Sequence, residues 1–335
     1  MPGRKKNADA VDSHSDTEWT KMFYDALAKY PVDKNGWKPN NPNLMAVMRY
    51  VRARKGDLDA AVEQFVSAET FFREQRVWEM DAPDPLEDLY ASTCPHLNAG
   101  YGKGGEPLYF ERTGAINQTD LLRILHPKDL VWRHVRQQQL FVERAERKSE
   151  EQGKPVEKQI IISDLKGLSL WPNSKAFAVF KETIRIDQEY YPERLQAIYF
   201  INAPLIFTTI FAAIRGWLDP VTKDKFHVLR GNYQEKLLEK ISPENLPEEY
   251  GGTMQVGLPE LVPLSEKRMA WAKERLSCIE TGDTSRGYHA SGEGPPTAPP
   301  LEAAKAEPRK AVVSPSGRVR SPPWVFVAAG GSLWI

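Results

Sequence analysis

The chain has 335 residues, with 45 lysines and arginines against 45 aspartates and glutamates, 41% hydrophobic and 10% aromatic residues. That composition supplies a core and excludes a wholly disordered, collagenous or coiled-coil chain, and zero net charge gives no global electrostatic reason to expect a nucleic acid partner. Two distant cysteines, Cys94 and Cys278, with no clustered histidine, offer neither a disulfide framework nor a thiolate zinc site and point to a reducing, intracellular compartment.

Residues 1–15 are polar and expected to be disordered. Arg4, Lys5 and Lys6 have no apolar stretch behind them, and Met1-Pro2 lacks the glycine that myristoylation needs, so no secretory or lipidation signal is expected. Trp19, Phe23, Ala26, Leu27 and Tyr30 recur at helical spacing and predict a first helix ending at Pro31. A second spans 44–53 and stops at Lys55-Gly56, and Asp57 is an N-cap for a third whose apolar stripe runs through Leu58, Phe65 and Phe72 towards Trp78. Residues 16–80 therefore read as a helical N-lobe.

Beyond this lobe the period changes. A strand at 107–110 precedes a long helix over 120–151, then strand 159–165, helix 173–191, strand 196–202, helix 205–218, strand 226–229 and helix 233–241. Strands alternating with crossover helices indicate right-handed βαβ units, so the fold class is α/β, with the helical N-lobe followed by a lobe built on a mixed, largely parallel sheet. The expected boundaries are 85–255 for that lobe, 256–281 for a C-terminal helical extension and 282–335 for a disordered proline-rich tail. Pro295-Pro296 and Pro299-Pro300 make the tail a candidate polyproline ligand for an SH3-like partner, with a flexible terminus the favoured reading. The apolar end, 324–335, is too short to span a bilayer.

Sequence signals for covalent chemistry are missing. The glycines of 100–105 precede a strand and lack the Gly-Lys-Ser/Thr of a phosphate loop, and there is no G-x-S-x-G, H-E-x-x-H or G-x-G-x-x-G after a strand. Residues 195–214 carry no charge, but Asn202 and Pro204 break the run into a strand and a helix, which argues against a transmembrane span. The helical part presents Phe207, Ile210, Phe211, Ile214 and Trp217. Two readings stand: a buried crossover helix, or a movable lid that covers an apolar cavity and touches a membrane when open.

At these residues the sequence resembles the CRAL-TRIO lipid-binding family, most closely its secretory-pathway phosphatidylinositol/phosphatidylcholine transfer proteins. Met48-Arg-Tyr-Val-Arg-Ala-Arg-Lys55, Pro107-Leu-Tyr-Phe-Glu-Arg-Thr-Gly114, Ser163-Asp-Leu-Lys-Gly167, Tyr190-Tyr-Pro-Glu-Arg194, Ile201-Asn-Ala-Pro204, Leu218-Asp-Pro-Val-Thr222 and Asn245-Leu-Pro-Glu-Glu-Tyr-Gly-Gly252 follow in the family's order. The resemblance implies a sheet flooring a lipid pocket, closed by a gating helix over 204–218. It also implies that Arg54, Lys55, Thr222 and Lys225 hold an inositol phospholipid headgroup, and that Glu193 and Arg194 belong to a network coupling headgroup site and gate. Gln159 and Ile161 stand on one face of their strand, where choline-binding relatives carry hydroxyl residues. Ile161 has no hydrogen-bond donor, so choline lipid is disfavoured and the second ligand is another hydrophobic molecule, such as a sterol.

The resemblance thus implies a non-enzymatic, monomeric phospholipid carrier, with a bound lipid rather than a cofactor and no metal. It would be cytoplasmic, with transient contact at Golgi or endosomal membrane surfaces. The alternative is a lipid-sensing scaffold that recruits partners and transfers nothing.

Overall fold

The structure, a computed structural model, describes residues 11–77, 80, 84–168, 174–218 and 220–290, with the backbone of 312–313 and 319–320. The N-terminal helices begin at side-chain caps. Ser15 and Glu18 form a reciprocal capping box for α1 (Asp16–Lys29), while Asn43 and Asp57 accept from Ala46 and Ala60 to start α2 (Leu44–Ala53) and α3 (Leu58–Glu74). Order starts earlier than the sequence predicts, because the Trp19 indole donates to the Val11 carbonyl at 2.9 Å and ties 11–15 to α1. After α4 (Glu87–Ala91), which the sequence pattern did not predict, come the short β1 (His96–Leu97) and β2 (Leu108–Glu111).

The helix expected over 120–151 is two elements, α5 (Gln118–Leu121) and α6 (Pro127–Gln152). Proline pushes the residue before it out of the helical region, so His126 is extended (φ −74°, ψ 148°) and becomes the N-cap, with Pro127 at the first helical position. There follow β3 (Gln159–Asp164), α7 (Ser174–Tyr190), β4 (Leu195–Ile201), α8 (Phe207–Arg215), α9 (Pro220–Lys223), β5 (Phe226–Val228), α10 (Tyr233–Lys240) and α11 (Glu266–Thr281). The sheet order is β1-β2-β3-β4-β5, antiparallel at β1/β2 and parallel elsewhere, so the mixed, largely parallel α/β architecture read from the sequence is what the chain adopts.

Each strand alternates, and the sheet sorts its side chains into two faces. Leu108, Phe110, Ile160, Ile162, Tyr199 and Ile201 pack against α10 and the loop that follows it. The opposite face carries Tyr109, Ile161, Ile198 and Phe226 in one register row and Glu111, Ser163, Phe200 and Val228 in the next. Helices α1–α3 build a second core that takes in Val135 of α6 and Ile186 of α7, which fixes the N-lobe against the crossover helices.

Motifs spaced along the sequence meet at the strand ends. Asp164 accepts from the Asn202 side chain at 2.8 Å and from the Lys166 backbone at 3.0 Å. Gly114 sits against the Leu165 and Lys166 backbones so closely that any Cβ there would collide with them. At the C-terminus Arg275 pairs with Asp129 through two bonds of 2.7 and 2.9 Å, both side chains buried, and donates to the His289 carbonyl. The segment after α11, without helix or strand, is held as far as Ala290, which is buried, whereas disorder was expected from 282. The proline-rich pieces lie outside the described residues. Within them the backbones of Val312–Val313 and Val319–Arg320 pair antiparallel.

Candidate functional site

The face of the sheet turned away from α10 floors a cavity of about 800 Å³, roofed by α6, α7 and α8. Its floor is graded by the register. The β2 edge offers Tyr109 and Glu111, β3 offers Ile161 and Ser163, and β4 and β5 offer Ile198, Phe200 and Phe226. Polar side chains thus give way to apolar ones over three strand spacings, roughly 14 Å.

The apolar half lies under α8. Phe207, Ile210 and Ile214 of this helix and Leu218 after it line the cavity, together with Phe177, Phe180 and Ile184 of α7. Phe211 and Trp217, grouped with them from helical spacing, do not line it. Phe211 packs among Phe200, Phe207 and Phe226, and Trp217 sits edge-on to Phe177 at 4.7 Å. Helical spacing assigns a face over a turn or two, but the regular helix ends at Arg215, so Trp217 leaves the stripe. The helix starts after Asn202, held at φ 53°, and Pro204, and Gln188 Nε2 bonds the Trp217 carbonyl at 3.1 Å near its other end. Leu205, Ile206 and Val221 flank it as exposed apolar tips.

The mouth is basic. Arg54 and Lys55 follow α2, Thr222 lies on α9 and Lys225 precedes β5, and all four line the cavity. Lys55 and Glu193 both adopt left-handed backbone, at φ 54° and 59°, a strain that non-glycine residues carry where the surrounding fold demands it. The Glu193 carboxylate lies 3.3 Å from Lys225 Nζ and 3.8 Å from Lys158 Nζ. Arg194, its sequence neighbour, turns away and donates to the Glu157 carbonyl at 3.3 Å. Burial, with Arg49 close by, lowers the Arg194 pKa to about 10. Glu193 and Arg194 therefore do not act as one ion pair; Glu193 belongs to the mouth and Arg194 to the wall beneath it. Lys225 is also adjacent to Phe226, whose ring stacks on Phe211 of α8, so a cavity-lining lysine and a contact to α8 share one short segment.

The β2 end is polar in a different manner. The Tyr90 and Tyr109 hydroxyls donate to Glu111 Oε2 at 2.8 and 2.7 Å, and Thr113 Oγ1 donates to Glu111 Oε1 at 2.9 Å. Burial, with Glu111 nearby, raises both tyrosine pKa values well above the ordinary range, so both remain donors. The Arg133 guanidinium covers the Tyr90 ring at 4.1 Å and reaches Glu87 at 3.5 Å, while His96 Nε2 lies 2.7 Å from the same Glu87 oxygen. Burial pushes the Glu87 carboxyl up, but Arg133 and His96 outweigh it and leave the group below its ordinary value. Gln159 donates to Gln138, which donates to Asp187, and His134 meets the same Asp187 oxygen at 2.6 Å. Gln159 and Ile161 both line the cavity, as their shared strand face requires.

Tyr90, Glu111, Arg133, Gln138 and Asp187 were not foreseen as cavity residues. The available signal was on α6, where Arg133, Gln137 and Gln138 share a buried face with Phe141 and Ala145. Among the described residues no group of three or more His, Cys, Asp or Glu side chains is placed to hold a metal ion, and no helix is long and apolar enough to cross a membrane.

A family model for the CRAL/TRIO domain matches residues 97–252. The chain is 35% identical over 216 residues to a CRAL-TRIO domain-containing protein of Saccharomyces cerevisiae, spanning 62% of this chain and 70% of that one. It is 35% identical over 216 residues to the SEC14 cytosolic factor of Candida glabrata (63% and 70%) and 34% over 221 residues to that of Kluyveromyces lactis (64% and 72%). Among solved structures, the crystal structure of Sfh5 superposes with a TM-score of 0.55 at 17% identity, covering 83% of this chain and 99% of that one, a likeness of fold.

Proposed function

The chain belongs to the CRAL-TRIO family, in its Sec14-like group of lipid-binding transfer proteins, and from that premise we propose that it carries phosphatidylinositol, moving it between membranes through a gated cavity. Carriage follows from the physics of the site. A phospholipid leaving a membrane exposes its acyl chains at about 0.8 kcal/mol per CH₂, so a carrier must enclose them. The apolar half under α8 offers that enclosure. The observation that carries the inositol reading is that Arg54, Lys55, Thr222 and Lys225, from sequence-distant segments, line one cavity. Cationic and hydroxyl donors there suit a phosphodiester joined to a polyol.

In this reading α8 is the gate. It turns on Asn202 and Pro204, its apolar flanks Leu205, Ile206 and Val221 meet the membrane first, and a headgroup contact at Lys225 reaches it through Phe226 and Phe211. Residues 16–80 form the helical N-lobe and 85–255 the lipid-binding unit, with the extension to 281 packed behind α4 and α6. Membrane contact is peripheral and transient, on cytoplasmic faces, and the carrier works as a monomer without a cofactor or a covalent step.

The test is vesicle-to-vesicle transfer of labelled phosphatidylinositol by Lys225→Ala. A charged hydrogen bond is worth about 1.5–3 kcal/mol, so transfer should fall by about tenfold or more with thermal unfolding little changed. An unchanged rate removes the headgroup assignment.

A further inference from the structure

Gln64 is buried, with 5% of its surface exposed, and it lines the cavity. Its Nε2 donates to the Gln188 and Glu189 carbonyls, at 2.9 and 3.1 Å. A carbonyl oxygen only accepts, so the amide nitrogen must face α7 and the side chain cannot be turned over. That fixes the direction of Oε1, and no group among the described residues donates to it. Buried polar atoms are normally partnered, so a cavity-lining acceptor without a protein donor marks a place where a ligand donor is favoured.

Chain and contacts tie this acceptor to the mouth. Its helix, α3, is capped at Asp57, two residues after Lys55, and Gln64 comes about two turns later. The carbonyls that it holds belong to the last turn of α7, which leads through the cavity-lining Tyr191 and Pro192 to Glu193 beside Lys225. Two other cavity-lining atoms share its state, Arg133 Nε and Gln159 Oε1, but they stand on α6 and at the start of β3.

The mouth's cations suit a phosphate, which every phospholipid carries, so by themselves they do not tell one headgroup from another. An acceptor does. Phosphate and ester oxygens only accept, acyl chains neither donate nor accept, and a trimethylammonium has no N–H, whereas an inositol ring is lined with hydroxyls. We propose that Gln64 Oε1 accepts a hydrogen bond from a hydroxyl of the inositol ring and so sets the preference for a polyol headgroup. The proposal rests on the phosphatidylinositol reading and deepens it: the cations hold the phosphodiester, and Gln64 selects what is attached to it.

The test pairs a change in the lipid with a change in the protein. Full-length wild type, Gln64→Met and Gln64→Lys are each incubated with vesicles containing equal amounts of phosphatidylinositol and phosphatidylcyclohexanol of the same acyl chains, then repurified for mass spectrometry of bound lipid. The second lipid keeps the six-membered ring and phosphodiester and lacks the ring hydroxyls. A site that hydrogen-bonds a hydroxyl rejects the analogue lacking it, so wild type should favour phosphatidylinositol by about tenfold or more. Gln64→Met removes the acceptor at similar length and should narrow that ratio by about fivefold. It also removes the two bonds to α7, but a purely structural loss weakens both lipids alike and leaves the ratio unchanged. Gln64→Lys keeps a donor for the α7 carbonyls while removing the acceptor, and it should narrow the ratio to the same extent. A ratio equal in wild type and the variants, or a wild type that takes both lipids equally, overturns the proposal and leaves the carrier reading intact. Recovery of neither lipid from wild type overturns the inositol reading and the proposal together.

Discussion

At the mouth of the cavity Arg54 and Lys55 stand exposed and Thr222 and Lys225 half-buried, whereas at the β2 end Arg133, Glu87, Tyr90 and Tyr109 are locked to one another before any ligand arrives. The mouth carries cationic side chains, and at the β2 end the tyrosine and threonine hydroxyls are spent on Glu111. The two ends differ in energetic weight too, since charges at a wet rim contribute little to stability, while a buried pair leaves an uncompensated charge when one partner is removed.

The sharpest break of that comparison is Arg133→Leu, which takes the guanidinium from Glu87 and from the face of Tyr90. It should cost about 2 kcal/mol in chemical denaturation, because Arg133 is buried on the Tyr90 ring while the Glu87 side chain keeps 35% exposure and its charge is partly met by water. A loss under about 1 kcal/mol would mean that the β2 end is as loosely held as the mouth. Next in size, the double change Arg54→Ala with Lys55→Ala should lower phosphatidylinositol transfer by several-fold and flatten its salt dependence, with stability shifted by about 0.5 kcal/mol or less. A transfer loss matched by an equal loss of stability would erase the distinction.

The smallest effect is on acid sensitivity. Glu87 sits below its ordinary value of 4.5, so its stabilising contribution is complete above that pH and is lost as pH falls through the folded-state value. Wild type should therefore lose more stability on acidification below about pH 4.5 than Glu87→Gln does, and parallel curves would show that Arg133 and His96 do not hold this carboxylate.

Much of the fold was legible because local rules agree with it. The cap at Asp57, the strand runs 159–165 and 196–202, and the Asn202–Pro204 break each place an element within a residue or two of where the chain puts it. The misreadings have physical causes. His126-Pro127 carries a helix start inside an apolar periodic run, and the five-residue α4 is too short to show a period. The mouth was reached through resemblance, because Arg54 and Lys225 are far apart in sequence and each alone looks like a solvated cation. The β2 end stayed hidden since its chemistry is pairwise. Nothing near Glu111 in sequence announces that Tyr90 donates to it, or that Arg133 and Gln138 of α6 are buried. Shared motifs such as Asp164 with Asn202, and Gly114 with Leu165, proved to be architecture at the strand ends rather than ligand contacts.

The most direct test of the central claim is mass spectrometry of the lipid bound to the purified wild-type chain after incubation with mixed eukaryotic membranes. The account predicts phosphatidylinositol in the cavity with phosphatidylcholine at background. A chain that returns loaded with phosphatidylcholine, or with no inositol lipid, would contradict it.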